Sequence, residues 1–213
     1  SDAAHGGAWG FARVLRLEHI SLRTQSAAIL LSESLRASPR MLAPTTEAEA
    51  AWTGDLHYVA RLRARTTASK AHAALEGGPY AITGGVGGLG LRAAKMLVDH
   101  GSSSVVLSSR SSRVGRLAMD AERGVALPVV ACDIGDAADA LALIARAALT
   151  GVLHAAGVLH DKMLCSMATN DIHVVFVPKA LAASHVQAIV VRTPLDVFAL
   201  FSSVASTFGN VGQ

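Results

Sequence analysis

A glycine-rich turn between a short apolar strand and a helix constrains the fold of this chain more than any other feature. Residues 80–83 form an apolar run, and a helical pattern follows at residues 89–100. Glycine removes the side chains that would block a phosphate, and a helix N-terminus offers unpaired N–H groups and a positive dipole end. This order predicts a pyrophosphate loop, with an ordinary glycine-rich turn as the alternative. The predicted loop residues are Thr83, Gly84, Gly85, Val86, Gly87, Gly88, Leu89 and Gly90.

Short apolar runs and helical patterns alternate strictly from this loop onward. This alternation predicts a parallel sheet covered on both faces, which is a doubly wound, Rossmann-type α/β fold. Pro178 is expected to kink the last helix. The predicted strands are residues 80–83, 105–108, 129–132, 152–155 and 195–202, and the predicted helices are residues 89–100, 114–123, 137–149 and 171–186.

The first 65 residues or so mix helix and strand without a phosphate loop. Thr46 and Glu49 have the spacing of a capping box, which predicts a helix start there. We therefore predict two domains, one at 1–76 without a phosphate loop and a dinucleotide-binding domain at 77–213. The other predicted elements of the first domain are a helix at 8–19, interrupted by Glu18, and strands at 27–31 and 56–62.

Composition narrows the class of protein. The chain has 213 residues, of which 51% are hydrophobic, and a net charge of only +3 with scattered basic residues, so it predicts a globular protein that binds no nucleic acid. Apolar runs are broken before membrane-spanning length, and no metal cluster is predicted.

Cys132 and Cys165 are expected to be buried free thiols in a reducing compartment, which favours the cytoplasm. The N-terminus resembles no targeting peptide and lacks an initiator Met, so we expect a chain cut from a longer one.

The end of the second predicted strand indicates which dinucleotide binds. NAD-binding folds usually place an acid there to hold the ribose 2′-hydroxyl, whereas this chain has Ser109 and Arg110. A guanidinium binds a 2′-phosphate that a carboxylate would repel. The sequence therefore predicts NADP(H) as the cofactor, with a solvated surface role for Arg110 as the alternative.

Three further groups follow the predicted strands at the same edge of the sheet. Asp133 is expected to bind the adenine, with an exposed N-cap as an equal alternative. His154 is interpreted as a structural histidine. Ser203 lies near the end of strand five and Lys179 on the helix before it, where a hydroxyl and an ammonium can serve carbonyl reduction. Close approach of a cofactor, or ordinary helix–strand packing, would explain the small residues Ala155, Ala156 and Gly157.

Taken together, these motifs resemble the ketoreductase domain of type I polyketide synthases, in the short-chain dehydrogenase/reductase superfamily. The ketoreductase of animal-type fatty acid synthase is a close relative. Before residue 78, residues 8–19 and 58–62 resemble the family's structural subdomain, a truncated dinucleotide fold without cofactor. After it, the resemblance covers residues 78–213 and rests on residues 81–90, 106–111, 132–134, 151–159, 178–179 and 201–205.

The resemblance implies NADPH-dependent reduction of a 3-oxoacyl thioester in polyketide or fatty acid biosynthesis. The substrate would be held by phosphopantetheine on an acyl carrier protein, among neighbouring synthase domains and away from membranes. Ser203 is similar to the family's catalytic serine and Lys179 to its catalytic lysine. The family's tyrosine would follow beyond Gln213, so the isolated chain is expected to be inactive, and a non-catalytic NADP-binding or structural module is the alternative.

Two positions in the resemblance concern product stereochemistry. Leu159-His160-Asp161 resembles the Leu-Asp-Asp signature of ketoreductases that give the D-hydroxy product, although His160 replaces one acid. Phe208 lies where the opposite class carries a tryptophan. Both positions favour the D-hydroxy product, with a solvated loop acid as an equal alternative for Asp161.

Overall fold

The computed structural model describes residues 3–29, 45–53, 56–64, 77–111, 127–146, 148–193 and 195–213. The described strands are β1 Ser26–Ile29, β2 Glu49–Thr53, β3 Leu56–Tyr58, β4 Pro79–Thr83, β5 Ser104–Ser109, β6 Val129–Ala131, β7 Gly151–His154 and β8 Val197–Leu200. The described helices are α1 Ala3–Glu18, α2 Gly88–Asp99, α3 Ala137–Ala145, α4 Thr169–Phe176, α5 Ala182–Val190 and α6 Ala205–Phe208.

The chain forms two compact units. The first unit comprises Ser1–Thr67, Asp161–Met167 and Ser203–Gln213, and the second comprises Ala68–His160 and Ala168–Ser202. The division expected from the sequence, 1–76 and 77–213, differs from these units in two segments. Residues 161–167 and 203–213 group with the first unit because α1 makes hydrogen bonds to both of them.

The second unit is built on a five-stranded parallel sheet with the strand order β6-β5-β4-β7-β8. Strands β4, β5 and β6 follow one another toward one edge of the sheet. Strand β7 lies on the other side of β4, and β8 lies beyond it. Strand order therefore reverses between β4 and β7, which is where the carboxyl ends of parallel strands open a binding crevice. This topology confirms the predicted Rossmann-type fold.

Helices cover both faces of this sheet. On one face, Ala81 packs with residues of α3 and α5, including Leu143 and Val186. On the other face, the next residue of β4, Ile82, packs with Ala94 and other residues of α2. Side chains of consecutive strand residues point to opposite faces, so a strand buried on both sides must be apolar throughout. Residues 80–82 of β4 meet that requirement, and the buried hydroxyl of Thr83 at the end of the strand has a hydrogen-bond partner in His154.

The helix expected to kink at Pro178 continues through it. Proline has no N–H and its ring clashes with the preceding turn of an α-helix. The chain accommodates it with a π turn, Val177–Leu181, between α4 and α5. This wider turn also carries Lys179. The helix predicted at 114–123 lies outside the described residues.

The described strands of the first unit form a three-stranded sheet in which β1 and β2 are parallel and β2 and β3 antiparallel. The helix start predicted at Thr46 is wrong, because Glu49 begins strand β2. Glu49 instead pairs with Arg13 and Arg16 of α1, which fixes the strand against that helix. A local capping pattern could not reveal partners more than thirty residues away.

Two expectations from composition can be compared with the structure. By length and composition alone, Thr169–Val190 is long and apolar enough to cross a membrane. Ala182 and Val186 on it are fully buried in the core of the second unit, but most of the segment is not buried. Cys132 is buried as expected, whereas Cys165 is exposed.

Candidate functional site

The glycine-rich loop lies at the carboxyl end of β4, beside the point where strand order reverses. Gly84 has φ of +65°, a conformation that residues with a Cβ rarely adopt. The Gly85 N–H donates to the Ser108 carbonyl oxygen at 3.0 Å, and the Gly87 N–H donates to that of Gly84 at 3.0 Å. These bonds close the turn tightly and direct the chain into α2.

Three glycines of the loop leave no space for a side chain. A Cβ on Gly84 would lie 2.6 Å from the Ala156 Cα, and one on Gly85 would lie 2.8 Å from the Ile82 carbonyl oxygen. A Cβ on Gly90 would lie 2.6 Å from the Gly85 Cα. The pattern Gly-Gly-x-x-x-x-Gly is therefore required by backbone packing in this turn.

The loop is open at the start of α2. A Cβ on Gly88, the first residue of the helix, would meet nothing within 4 Å in the described chain. Gly87, the N-cap residue, contributes no side-chain cap. The first N–H groups of α2 therefore lie beside open space, and the positive end of the helix dipole lies there too. This cradle fits the pyrophosphate of a dinucleotide.

A buried hydrogen bond joins the ends of β4 and β7 beneath the loop. Thr83 Oγ1 lies 2.7 Å from His154 Nδ1, and His154 Nε2 lies 3.1 Å from the Lys179 carbonyl oxygen. Nε2–H donates to the carbonyl, so Nδ1 accepts from the threonine hydroxyl in the neutral tautomer. Burial lowers the pKa of His154, which keeps it neutral. The histidine is structural, as the sequence indicated.

The residues predicted to bind the adenosine half of the cofactor lie at or just after the ends of β5 and β6. Arg110 is exposed directly after β5, and Ser109 pairs with Ala131 across the sheet. Asp133 Oδ1 accepts from the Gly135 N–H at 3.0 Å, while Asp136 caps α3. The alternative role of Asp133 as an N-cap is thereby excluded, although its contact with adenine stays a prediction.

The segment after β7 brings small residues against the loop and against Lys179. Ala155 and Ala156 pack on Gly84, where any side chain would collide. A Cβ on Gly157 would lie 2.8 Å from Lys179 Cε, so this glycine lets the lysine chain lie across the backbone. Lys179 is exposed on the π turn. The structure thus brings Lys179 and the small-residue segment together in the second unit.

Ser203 belongs to the first unit and begins the segment that leads into α6. Its Oγ accepts from the Ala205 N–H at 3.2 Å, and its carbonyl oxygen accepts from the Ser206 N–H. A hydroxyl that accepts a hydrogen bond can also donate one. Ser203 is exposed, so its hydroxyl is accessible.

Two acidic residues near these segments have roles that were not predicted from the sequence. Asp171 is buried, accepts from the Ala168 N–H at 2.8 Å, and lies 2.7 Å from His160 Nε2. Glu18 accepts backbone N–H bonds from two distant segments. An acid inside an otherwise apolar helical stripe was the available signal for Glu18.

Comparison with known proteins places this fold in a family. A family model described as the KR domain matches residues 78–213. A solved A-type ketoreductase from a modular polyketide synthase superposes with a TM-score of 0.89 at 30% identity, covering 100% of this chain and 48% of that one. The first ketoreductase of the tylosin polyketide synthase gives 0.83 at 31% identity, covering 98% of this chain and 48% of that one.

Two polyketide synthases are similar in sequence. A phenolphthiocerol/phthiocerol polyketide synthase protein of Mycobacterium tuberculosis is 34% identical in an alignment 220 residues long that covers 96% of this chain and 12% of that protein. Polyketide synthase ThaG of Burkholderia thailandensis is 32% identical in an alignment 232 residues long that covers 100% of this chain and 4% of that protein. The chain therefore spans about half of the solved ketoreductases and a small part of each synthase.

These matches define a class of dinucleotide-binding folds, the short-chain dehydrogenases/reductases. Within it, the chain belongs to the KR domain family, the ketoreductase domains of polyketide synthases.

Proposed function

We propose that this chain is part of an NADPH-dependent ketoreductase that reduces a 3-oxoacyl thioester to the 3-hydroxyacyl thioester in polyketide biosynthesis. The observation that carries the proposal is the glycine cradle at the strand-order reversal, in the part of the chain that matches the KR domain. Family membership favours this enzyme over a non-catalytic NADP-binding module. The proposed partners are an acyl carrier protein and neighbouring synthase domains, in the cytoplasm.

The residues present have distinct roles in this proposal. The first N–H groups of α2 hold the pyrophosphate, and NADPH, when bound, supplies the hydride for the β-carbon. Lys179 holds the nicotinamide ribose and lowers the pKa of the family's catalytic tyrosine. Ser203 donates its hydroxyl hydrogen to the carbonyl oxygen of the substrate, which stabilises the charge that develops there. Support for the last two roles comes from the motifs that contain these residues.

Turnover of the full-length protein tests the function. We expect it to oxidise NADPH in the presence of a β-ketoacyl thioester, and Ser203→Ala and Lys179→Met to lower kcat by roughly 10²-fold or more. Lys95→Met, which removes an exposed lysine of α2, serves as the matched control and leaves kcat unchanged. Absence of thioester-dependent NADPH oxidation by the wild type would refute the proposal. Chiral chromatography of the product tests the D-hydroxy prediction from Leu159, Asp161 and Phe208.

Cofactor preference is tested separately at Arg110. An arginine–phosphate contact contributes roughly 1.5–3 kcal/mol, so Arg110→Ala should weaken NADPH binding by about 10- to 100-fold. NADH lacks the 2′-phosphate and should bind the variant and the wild type equally. Fluorescence titration with both cofactors measures the two affinities. Equal losses for NADH and NADPH would exclude a phosphate contact and leave Arg110 as a surface residue.

A further inference from the structure

Glu18, the last residue of α1, bridges two segments that are far away in sequence. Its Oε2 accepts from the Leu164 N–H at 2.8 Å, and its Oε1 accepts from the Gly212 N–H at 3.1 Å. A carboxylate has two oxygens that can each accept, so it suits two diverging donors. Hydrogen bonds to a charged acceptor are also stronger than neutral ones.

The same helix contacts the second of these segments at two more points. Arg13 Nη1 donates to the Ser206 carbonyl oxygen at 2.7 Å. Gly209 has φ of +77°, and a Cβ there would lie 3.1 Å from Arg13 Cβ and 3.1 Å from Leu17 Cδ1. Residues four apart on a helix share a face, so Arg13 and Leu17 present one surface to this segment.

These contacts hold residues 203–213 along their length. Arg13 holds the segment at Ser206, the α1 surface holds it at Gly209, and Glu18 holds it at Gly212. Ser203 begins the segment and is tied to it by hydrogen bonds with Ala205 and Ser206. The orientation of Ser203 therefore depends on how firmly the segment is held by α1.

We infer that Glu18 is a positioning residue for catalysis, which fixes the segment that carries Ser203 through the amide of Gly212. This inference rests on the proposed function. In this role the first unit contributes to catalysis as well as to packing, because α1 positions the segment of residues 203–213 that carries the serine hydroxyl. Misplacement of a reacting group by about 1 Å can cost roughly 10²-fold in rate.

The experiment uses the full-length protein and the variant Glu18→Gln. Glutamine has one oxygen, and its amide N–H₂ would oppose the second backbone N–H, so at least one of the two bonds is lost. Glu47→Gln is the matched control, since Glu47 is a carboxylate of the same unit that pairs with Arg61. Hydrogen exchange of residues 161–167 and 203–213 is measured by mass spectrometry, and kcat and KM are measured for thioester and NADPH.

We expect Glu18→Gln to speed exchange in both segments by roughly tenfold or more and to lower kcat by a similar factor. The KM for NADPH should stay unchanged, because the glycine loop belongs to the second unit. Glu47→Gln should change neither exchange nor kcat. Unchanged exchange in Glu18→Gln would overturn the inference, as would faster exchange with unchanged kcat or a raised KM for NADPH.

A second variant covers the case in which Glu18→Gln does not fold. Gly212 has φ of +73°, and the nearest atom to a Cβ there would be 3.8 Å away, so Gly212→Ala adds backbone strain without a collision. It should loosen residues 203–213 and lower kcat, and the same outcomes would overturn the inference. A wild type that reduces no ketone would refute the proposed function, and exchange would then decide alone whether Glu18 anchors the segment.

Discussion

The glycine loop of the second unit and the α1 surface of the first are each stabilised by a different means. The loop depends on missing side chains, since Gly84, Gly85 and Gly90 bring backbone against backbone. The α1 surface depends on long charged side chains, because Arg13 and Glu18 make hydrogen bonds with residues that are distant in the sequence. The loop is therefore determined by the absence of side chains, and the α1 surface by hydrogen bonds of charged side chains.

This difference determines how each region should respond to change. A Cβ in close-packed backbone must displace rigid neighbours, which costs more than the loss of a partly exposed charge pair. The loop should therefore tolerate no added methyl group at its packed positions. The α1 surface should lose stability in smaller steps, according to how deeply each pair is buried.

The largest expected effect is at Gly85. Its Cβ would lie 2.8 Å from both the Ile82 carbonyl oxygen and Leu107 Cβ, so Gly85→Ala should lower the free energy of unfolding by roughly 1–3 kcal/mol. Gly88→Ala is the matched control in the same loop and should leave stability within about 0.5 kcal/mol. Urea unfolding measures both variants. Equal losses of stability at Gly85 and Gly88 would contradict the comparison, because the space around each added Cβ would then not determine the loss.

The next effect is at Glu49, whose side chain is 18% exposed between Arg13 and Arg16. The hydrogen bond from Arg13 lowers the pKa of Glu49, so the folded state favours its charged form. Glu49→Gln should therefore cost about 1–2 kcal/mol. Glu47→Gln, at the more exposed pair with Arg61, should cost less than Glu49→Gln.

Thermal unfolding of both glutamate variants at low salt provides this measurement. A larger loss of stability for Glu47→Gln than for Glu49→Gln would contradict the expectation that the more buried charge pair contributes more.

The smallest effect is a pH dependence at His154. Burial lowers its pKa in the folded state below the ordinary value of 6.5, so the unfolded chain binds more protons there. The stabilising contribution is complete above pH 6.5 and is lost as pH falls through the lowered pKa. Between pH 7.5 and 5.5, we expect the wild type to lose more stability than His154→Asn. Identical pH profiles for the two proteins would exclude His154 as the source.

Most of the second unit could be predicted because its determinants leave local patterns in the sequence. Residues 80–82 of β4 are apolar since both faces of the strand are covered, and the glycine spacing that follows is visible in the sequence although Gly84 packs on Ala156 and Gly85 lies beside Leu107. The π turn at Pro178 was not predictable, because a kink and a wider turn both accommodate a proline.

The first unit was harder to predict because its determinants are distant in sequence. Thr46 and Glu49 have capping-box spacing, yet Glu49 begins β2 and pairs with arginines of α1. Glu18 was visible only as an acid that interrupts an apolar stripe. The sequence carried no sign that its carboxylate accepts from Leu164 and Gly212.

The bond between Glu18 and Gly212 also has a consequence for the order of synthesis. These residues are 194 positions apart, so a ribosome that has made α1 still has nearly the whole chain to translate before this donor exists. At typical translation rates, that interval is roughly 10–40 s. During this time α1 exposes the surface that will later hold residues 203–213. The pairs of Arg13 and Arg16 with Glu49 can form long before this bond, so α1 can pack on β2 first and hold residues 203–213 much later.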